Sequence, residues 1–426
     1  MNKEEMKSKV KYIDFEYLYG CKDGEREKYE QRFCEVIDGF EENFENADNL
    51  RLFSAPGRTE IGGNHTDHQH GAVLAGSLNL DVIGAAKLNG TSEIRIKSKG
   101  FIKDVIDLND LSVNKEEYGR AGALIKGVAA KFIEKGYKVE GFDAYTVSSV
   151  LKGSGMSSSA AFEVLIGTIM NCMFANEEVN PVEIAQIGQF AENVYFGKPC
   201  GLLDQTACSV GNMVSIDFAS TEKPVVQKVD FDFASTNHAL CIIDTGADHS
   251  DLTDEYAAIP SEMKKVAAFF GEDFLNDVNK ADFMAKIKDV RAAVNDDRAI
   301  LRAIHYFNET QRAKEEAEAL NSGDFDKFLA LVKKSGLSSY MYLQNVYASS
   351  APHEQAVSLA LALCDELLGE RGAYRVHGGG FAGTVQAFVP MDMLDNFKSG
   401  IENVFGEGMC HVLSIRPVGG CELKIK

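Results

Sequence analysis

Apolar residues recur along this chain with two periods. Between Glu25 and Glu45 they fall at Tyr29, Phe33, Val36, Ile37 and Phe40, the three- and four-residue spacing of a helix with one buried face. The intervening charges form its solvated side, and the helix is expected to pack on the body of the protein as a lid or N-terminal helix. An apolar strand from Arg51 leads into Pro56-Gly57, which reads as a turn. Val73–Lys87 reads as apolar strands with a break at Gly76, and Glu93–Asp107 partly alternates, as a hairpin arm would. Ala121–Gly136 predicts a helix that Gly136 ends. Phe142–Leu151 is rich in β-branched and aromatic residues and predicts a strand. Ala160–Phe174 is apolar with helical character and holds no proline. Val182–Phe196 predicts a further helix carrying Glu192. After a loop marked by Gly197, Pro199 and Gly201, Asp204 stands where a short helix would begin, and by itself it reads as an N-cap.

The second half mixes the two periods again. His238–Asp244 predicts a buried strand, followed by a polar run to Tyr256. Helices are expected over Ser261–Phe270, Asp297–Leu320, Asp324–Ser335 and Ala356–Leu368. Gly372–Val389 reads as strand, glycine turn, strand, and His411–Lys426 as two strand-like pieces around Pro417–Gly420. This predicts an α+β protein of two domains, 1–230 and 231–426.

Composition narrows the partners. The chain has 426 residues, 45% hydrophobic and 25% charged, with a formal net charge of −20. That charge argues against nucleic acid and anionic membrane as partners, so an anionic substrate needs a locally basic site. Nine cysteines without a Cys-x-x-Cys pair suggest reduced thiols in the cytoplasm. The charged N-terminus is no secretion signal, and no run of about eighteen apolar residues marks a membrane span.

Two stretches carry chemistry. In Leu151–Val164 the predicted strand and helix flank Gly153, Gly155 and the serines Ser157, Ser158 and Ser159. Glycines let a backbone approach a ligand, and a helix N-terminus offers free N–H groups to phosphate. Serine caps on an ordinary strand–turn–helix are the plainer alternative. The second stretch, Arg58–Gly71, crowds Arg58, His65, Asp67, His68 and His70 together. It reads as a sugar-hydroxyl site, a metal site or a solvated loop; the His and Asp spacing fits no regular ligand pattern.

In order along the chain, these stretches resemble the motifs of the GHMP small-molecule kinase superfamily. Leu151–Val164 is similar to the phosphate loop Pro-x-x-x-Gly-Leu-Ser-Ser-Ser-Ala, with Met156 in place of Leu. His377-Gly-Gly-Gly-Phe-Ala-Gly383 resembles the third motif, a glycine turn that shapes the phosphate loop and the substrate pocket. Gly57-Arg58 through Asp67 resembles the galactokinase branch's Gly-Arg-x-Asn-Leu-Ile-Gly-Glu-His-x-Asp-Tyr. Cys200-Gly-Leu-Leu-Asp-Gln205 resembles that branch's Cys-Gly-x-x-Asp-Gln. The resemblance runs from about Leu52 to the C-terminus. It implies an N-terminal domain like ribosomal protein S5 domain 2 and a ferredoxin-like C-terminal domain. It implies an ATP- and Mg²⁺-dependent kinase acting on the anomeric hydroxyl of a small sugar, as a monomer. Asp204 would be the base and Arg58 the cation beside it. Asn64, His65, Asp67, Gly201 and Tyr256 would bind the sugar. Gly153, Ser154, Gly155, Met156, Ser157, Ser158, Ser159 and Gly379 would bind ATP, and Ser159 with Glu192 would hold the metal.

Departures fall in the sugar-facing segment. Where galactokinases carry Asn, Glu and Tyr, this chain has Glu60, Asn64 and His68. An amide at 64 in place of a carboxylate leaves galactose as the expected substrate and keeps open one altered at its distal end, such as galacturonate. A non-catalytic sensor of sugar or ATP is a further alternative. A hydrolase built on His377-Gly-Gly-Gly380 would need a Gly-x-Ser-x-Gly elbow, which is absent, as is the P-loop signature.

Overall fold

Among the described residues twelve strands build two sheets, and the longest two lie side by side. β1 (Arg51–Gly62) and β2 (Ala72–Leu88) run antiparallel, followed by β3 (Glu93–Ser98), β4 (Lys103–Asp107), β5 (Phe142–Ser148), β6 (Met213–Asp217) and β7 (Val225–Val229). The computed structural model describes residues 1–21, 24–150, 155–220, 223–246, 252–381 and 383–424. β8 (His238–Asp244), β9 (Ala373–His377), β10 (Thr384–Pro390) and β11 (Cys410–Leu413) form the second sheet, and β12 (Cys421–Leu423) rejoins the first.

The first sheet has the order β12-β1-β2-β5-β3-β4, with β6 also on β2 and β7 on β6. Both of its faces are covered. Val82 and Ala86 pack with the helices Ala121–Glu134 and Ser158–Phe174, whereas Ile83 and Ala85 pack with the helix Arg26–Phe44. Successive strand side chains point to opposite faces, so a strand covered on both is apolar throughout rather than alternating. The helix Arg26–Phe44 is therefore a layer of the core, not a lid.

The second sheet is antiparallel with the order β11-β8-β10-β9. Numbered within the sheet this is 4-1-3-2, the ferredoxin-like topology, backed by the helices Ala356–Leu368 and Leu394–Phe405. The overall class is α+β. Helix Asp297–Asn321 packs on β1 and β2, Phe325–Ser338 packs on β9 and β1, and Thr253–Phe269 packs on Asp297–Asn321. After β11 the chain returns to the first sheet, where β12 pairs with β1 at Leu52↔Leu423.

Three sequence readings change. Pro56-Gly57 is not a turn: β1 runs through it, with a register shift between Pro56 and Arg58 that takes up the proline. Gly76 does not break β2; a Cβ there would lie 2.9 Å from Ile415 Cδ1, so the glycine serves close packing. The helix that should reach Phe196 is α-helical over Pro181–Phe190 and then π-helical over Ala191–Phe196.

Candidate active site

β1 carries Arg58 to the start of the phosphate-loop helix. The backbone N–H of Arg58 donates to Met156 O at 3.2 Å, and its guanidinium donates to Gly155 O. A Cβ on Gly57 would come 2.9 Å from Met156 O, so this approach needs glycine. Arg58 Nε donates to Asp204 Oδ1 at 2.7 Å, and Ser157 Oγ donates to Asp204 Oδ2. Three motifs distant in sequence thus meet on one carboxylate. Burial pushes the Asp204 pKa up, but the charge and hydrogen bond of Arg58, with Ser157, outweigh it and hold the group below its ordinary value.

Ser157 is the N-cap of Ser158–Phe174 at φ 55°, a left-handed conformation rare for serine. Its hydroxyl bonds Asp204 instead of capping the helix, so the amides of Ser158 and Ser159 keep no cap from it. Met156 is buried and Gly155 exposed. Gly153 and Ser154 lie outside the described residues.

Asp204 is the second residue of the helix Leu203–Val210 and not its N-cap, which is Leu202. The next residue, Gln205, is buried and links two acids. Its Nε2 donates to Glu192 Oε2 at 2.9 Å and to Glu163 Oε2 at 3.0 Å. Burial, and then the neighbouring Glu192 charge, push the Glu163 carboxyl well above its ordinary pKa, and its Oε1 has no partner among the described residues. No motif in the sequence marks Glu163; the one local signal is its place one helical turn after Ser159, on the same helix face. Lys198 Nζ lies 3.6 Å from Glu192 Oε1 and supplies local positive charge. Glu192, Ser159 and the orphaned Glu163 oxygen offer only hard oxygen donors, a set that fits Mg²⁺.

The segment Arg58–Gly71 divides. A Cβ on Gly201 would come 2.7 Å from Asp67 Oδ2, so Gly201 leaves room for that carboxylate. A cavity of about 260 Å³ adjoins both residues, lined also by His68, His70, Cys200 and Phe218. His65 Nε2 donates to Gly379 O at 3.0 Å. Burial, with the His68 ring beside it, brings the His65 pKa down to about 4, so it is neutral at pH 7. Asn64 is fully buried and its amide is spent on protein. Nδ2 donates to Glu60 Oε1 at 2.9 Å and to Gly378 O at 2.7 Å, while Oδ1 accepts from Asn345 Nδ2 at 2.8 Å and Ser339 Oγ at 3.2 Å. The expectation that Asn64 faces a sugar hydroxyl does not match this geometry.

The third motif holds these pieces together. Tyr256 OH donates to Gly380 O at 2.8 Å, and a Cβ on Gly379 would come 2.5 Å from the Tyr256 ring. A Cβ on Gly378 would lie 3.9 Å from Gly155 Cα, so Gly378 rather than Gly379 adjoins the phosphate loop. His377 hydrogen-bonds Thr59 Oγ1 at 3.0 Å and Thr384 Oγ1 at 2.9 Å, bracing β1 against β9 and β10. Such contacts between strands of different sheets carry no local sequence signal.

The fold and this site define a GHMP small-molecule kinase. The GHMP kinases N terminal domain matches residues 123–212, which hold the phosphate-loop helix and Asp204. A mevalonate kinase crystal structure matches with a TM-score of 0.61 at 13% identity, over 85% of this chain and 98% of that one. The galactokinase galactose-binding signature matches residues 38–88. A galactokinase of Streptomyces coelicolor is 30% identical over 361 residues, 83% of this chain and 88% of that protein. The crystal structure of Lactococcus lactis galactokinase complexed with galactose matches with a TM-score of 0.77 at 24% identity, over 91% of this chain and 99% of that one. The chain belongs to the galactokinase family. Among the described residues no helix is long and apolar enough to cross a membrane.

Proposed function

We propose that this protein transfers the γ-phosphoryl group of ATP to the anomeric hydroxyl of galactose, giving galactose 1-phosphate. The observation that carries the reading is Asp204, half-buried and ionised, with Arg58 on one oxygen and the phosphate-loop Ser157 on the other. Phosphoryl transfer depends chiefly on positioning and on stabilising developing charge. The amides of Gly155–Ser159 would hold the triphosphate at the helix N-terminus. Asp204 would accept the proton of the attacking hydroxyl at one carboxylate oxygen once that hydroxyl displaces Ser157. Arg58 would keep Asp204 ionised until then and draw off charge from the transferring group. Asp67, with the room left by Gly201, would bind sugar hydroxyls, and Tyr256 would support the glycine turn beside them. His65 would fix that turn as a neutral donor.

Mg²⁺ bound with ATP would neutralise phosphate charge. Ser159 and Glu192 would hold it, with Gln205 orienting the Glu192 carboxylate. The chain would act as a cytoplasmic monomer on free sugar.

ATP-dependent turnover across a panel of free sugars tests the reading. Galactose should be phosphorylated at its anomeric position. A protein that binds galactose and ATP without product formation would be a sensor, not a kinase.

A further inference from the structure

Asn64 has two N–H donors and an acceptor with two lone pairs, and the structure engages all of them with protein groups. Its backbone carbonyl also accepts from His305 Nε2 at 2.9 Å. No capacity remains for a ligand. Glu60 is in the opposite situation. It follows Arg58 by two residues in a continuous stretch of β1 register, so the two side chains share a face of the strand. Oε1 of Glu60 accepts from both Asn64 Nδ2 at 2.9 Å and Arg375 Nη2 at 2.8 Å. Oε2 has no partner among the described residues, yet it is not sealed: the side chain keeps 11% exposure while Arg375 behind it keeps 0%. Burial raises the Glu60 pKa, and the charges of Arg375 and Arg58 oppose that rise; the strand face shared with Arg58 and the hydrogen bond from Asn64, next to His65, set this carboxyl beside the same site.

The galactokinase pattern has asparagine at the position of Glu60 and glutamate at the position of Asn64. This chain exchanges the two and keeps one amide hydrogen-bonded to one carboxylate. We propose that Glu60, not Asn64, reads a substrate hydroxyl, through Oε2, and that Asn64 and Arg375 are the positioning residues that hold it. The proposal rests on the sugar-kinase reading above and deepens it. A carboxylate accepts hydrogen bonds only, so it selects a hydroxyl that donates. It also opposes an anion. Asp67 shares the site, the neutral His65 adds no positive charge, and the two arginines nearby are already paired, Arg58 with Asp204 and Arg375 with Glu60, so a uronic acid is disfavoured. The substrate class is a neutral hexose with a free hydroxyl facing β1.

The test is calorimetric titration of the intact protein, without nucleotide, with galactose, each monodeoxygalactose and galacturonate. Wild type should bind galactose, bind one deoxy sugar about tenfold or more weakly through the lost charged hydrogen bond, and reject galacturonate. Glu60→Gln should bind galactose about tenfold more weakly and lose discrimination against that one deoxy sugar alone. Glu60→Asn combined with Asn64→Glu should restore both the affinity and the discrimination. An unchanged deoxy-sugar ranking in Glu60→Gln overturns the proposal. Equal weakening toward every sugar, with a lowered melting temperature, also overturns it, since that is the mark of a structural role. Wild type that binds no galactose would overturn the sugar-kinase reading itself and the Glu60 proposal with it.

Discussion

Asp204 stays charged because two donors outweigh its partial desolvation. Desolvation alone would raise its pKa, but the Arg58 guanidinium at 2.7 Å and the Ser157 hydroxyl both favour the anion. Asp204→Asn should keep galactose and ATP binding while turnover falls about 10²- to 10⁴-fold, the usual worth of a placed acid–base group. Near-normal turnover would remove Asp204 from the chemistry. The pH profile carries a second check: the acid limb due to Asp204 should lie below the ordinary aspartate value of about 3.9. His65 titrates the other way round from a paired histidine. Its folded pKa of about 4 lies below the ordinary value of 6.5, so between those values the unfolded chain binds more protons than the folded one. Its contribution to stability is complete above pH 6.5 and is lost as the pH falls toward 4, with a slope of up to about 1.4 kcal/mol per pH unit. Denaturant midpoints from pH 7 to 4 should fall less steeply for His65→Gln than for wild type; equal slopes would assign the loss to other groups.

At the scale of elements, irregularities do the positioning. The six residues Ala191–Phe196 form a π-helical turn, a feature often found at functional sites, and it places Glu192 against Gln205. Glu192→Gln should raise the Mg²⁺ concentration needed for half-maximal rate; a magnesium titration that does not move would leave Glu192 a structural residue. β1 is adapted in a similar way. A Cβ on Gly62 would lie 1.7 Å from Glu316 Oε2, so glycine at 62 makes room for a carboxylate from the helix Asp297–Asn321. Burial raises the Glu316 pKa well above its ordinary value, which favours its neutral form beside Glu309 and Glu60.

Over the whole molecule, one buried carboxylate joins segments from both ends of the chain. Asp81 on β2 accepts from Arg32 at 2.8 Å, Arg416 at 3.2 Å, Tyr19 at 2.6 Å and Ser54 at 2.5 Å, and its own N–H donates to Ser149 Oγ at 3.0 Å. The N-terminal helices, β1, the returning C-terminal segment and the base of the phosphate loop are thereby tied together. Asp81→Ala strips both arginines of this partner, and breaking a buried pair typically costs about 3–5 kcal/mol. Chemical denaturation should show a loss of that size, with the first fifty residues becoming more accessible to proteases. A loss under about 1 kcal/mol would mean that water replaces the carboxylate.

The chain by itself determined the elements and the chemistry of the site. Helical periodicity at Tyr29–Phe40, the β-branched run at Phe142–Ser148 and the glycine–serine stretch before Ala160 are local signals, because propensity, amphipathic spacing and backbone freedom act within a few residues. The same locality made Arg58, Asp204 and the phosphate loop legible as motifs. What only the tertiary structure decided is where the side chains end up. Pro56-Gly57 looks like a turn until the pairing of β1 with β2 absorbs it in a bulge. Asn64 looks like a sugar contact until Ser339, Asn345 and Gly378, all about three hundred residues away, use up its amide. Hydrogen-bonding capacity is finite, and which partner claims it is settled by packing between elements that no local window contains.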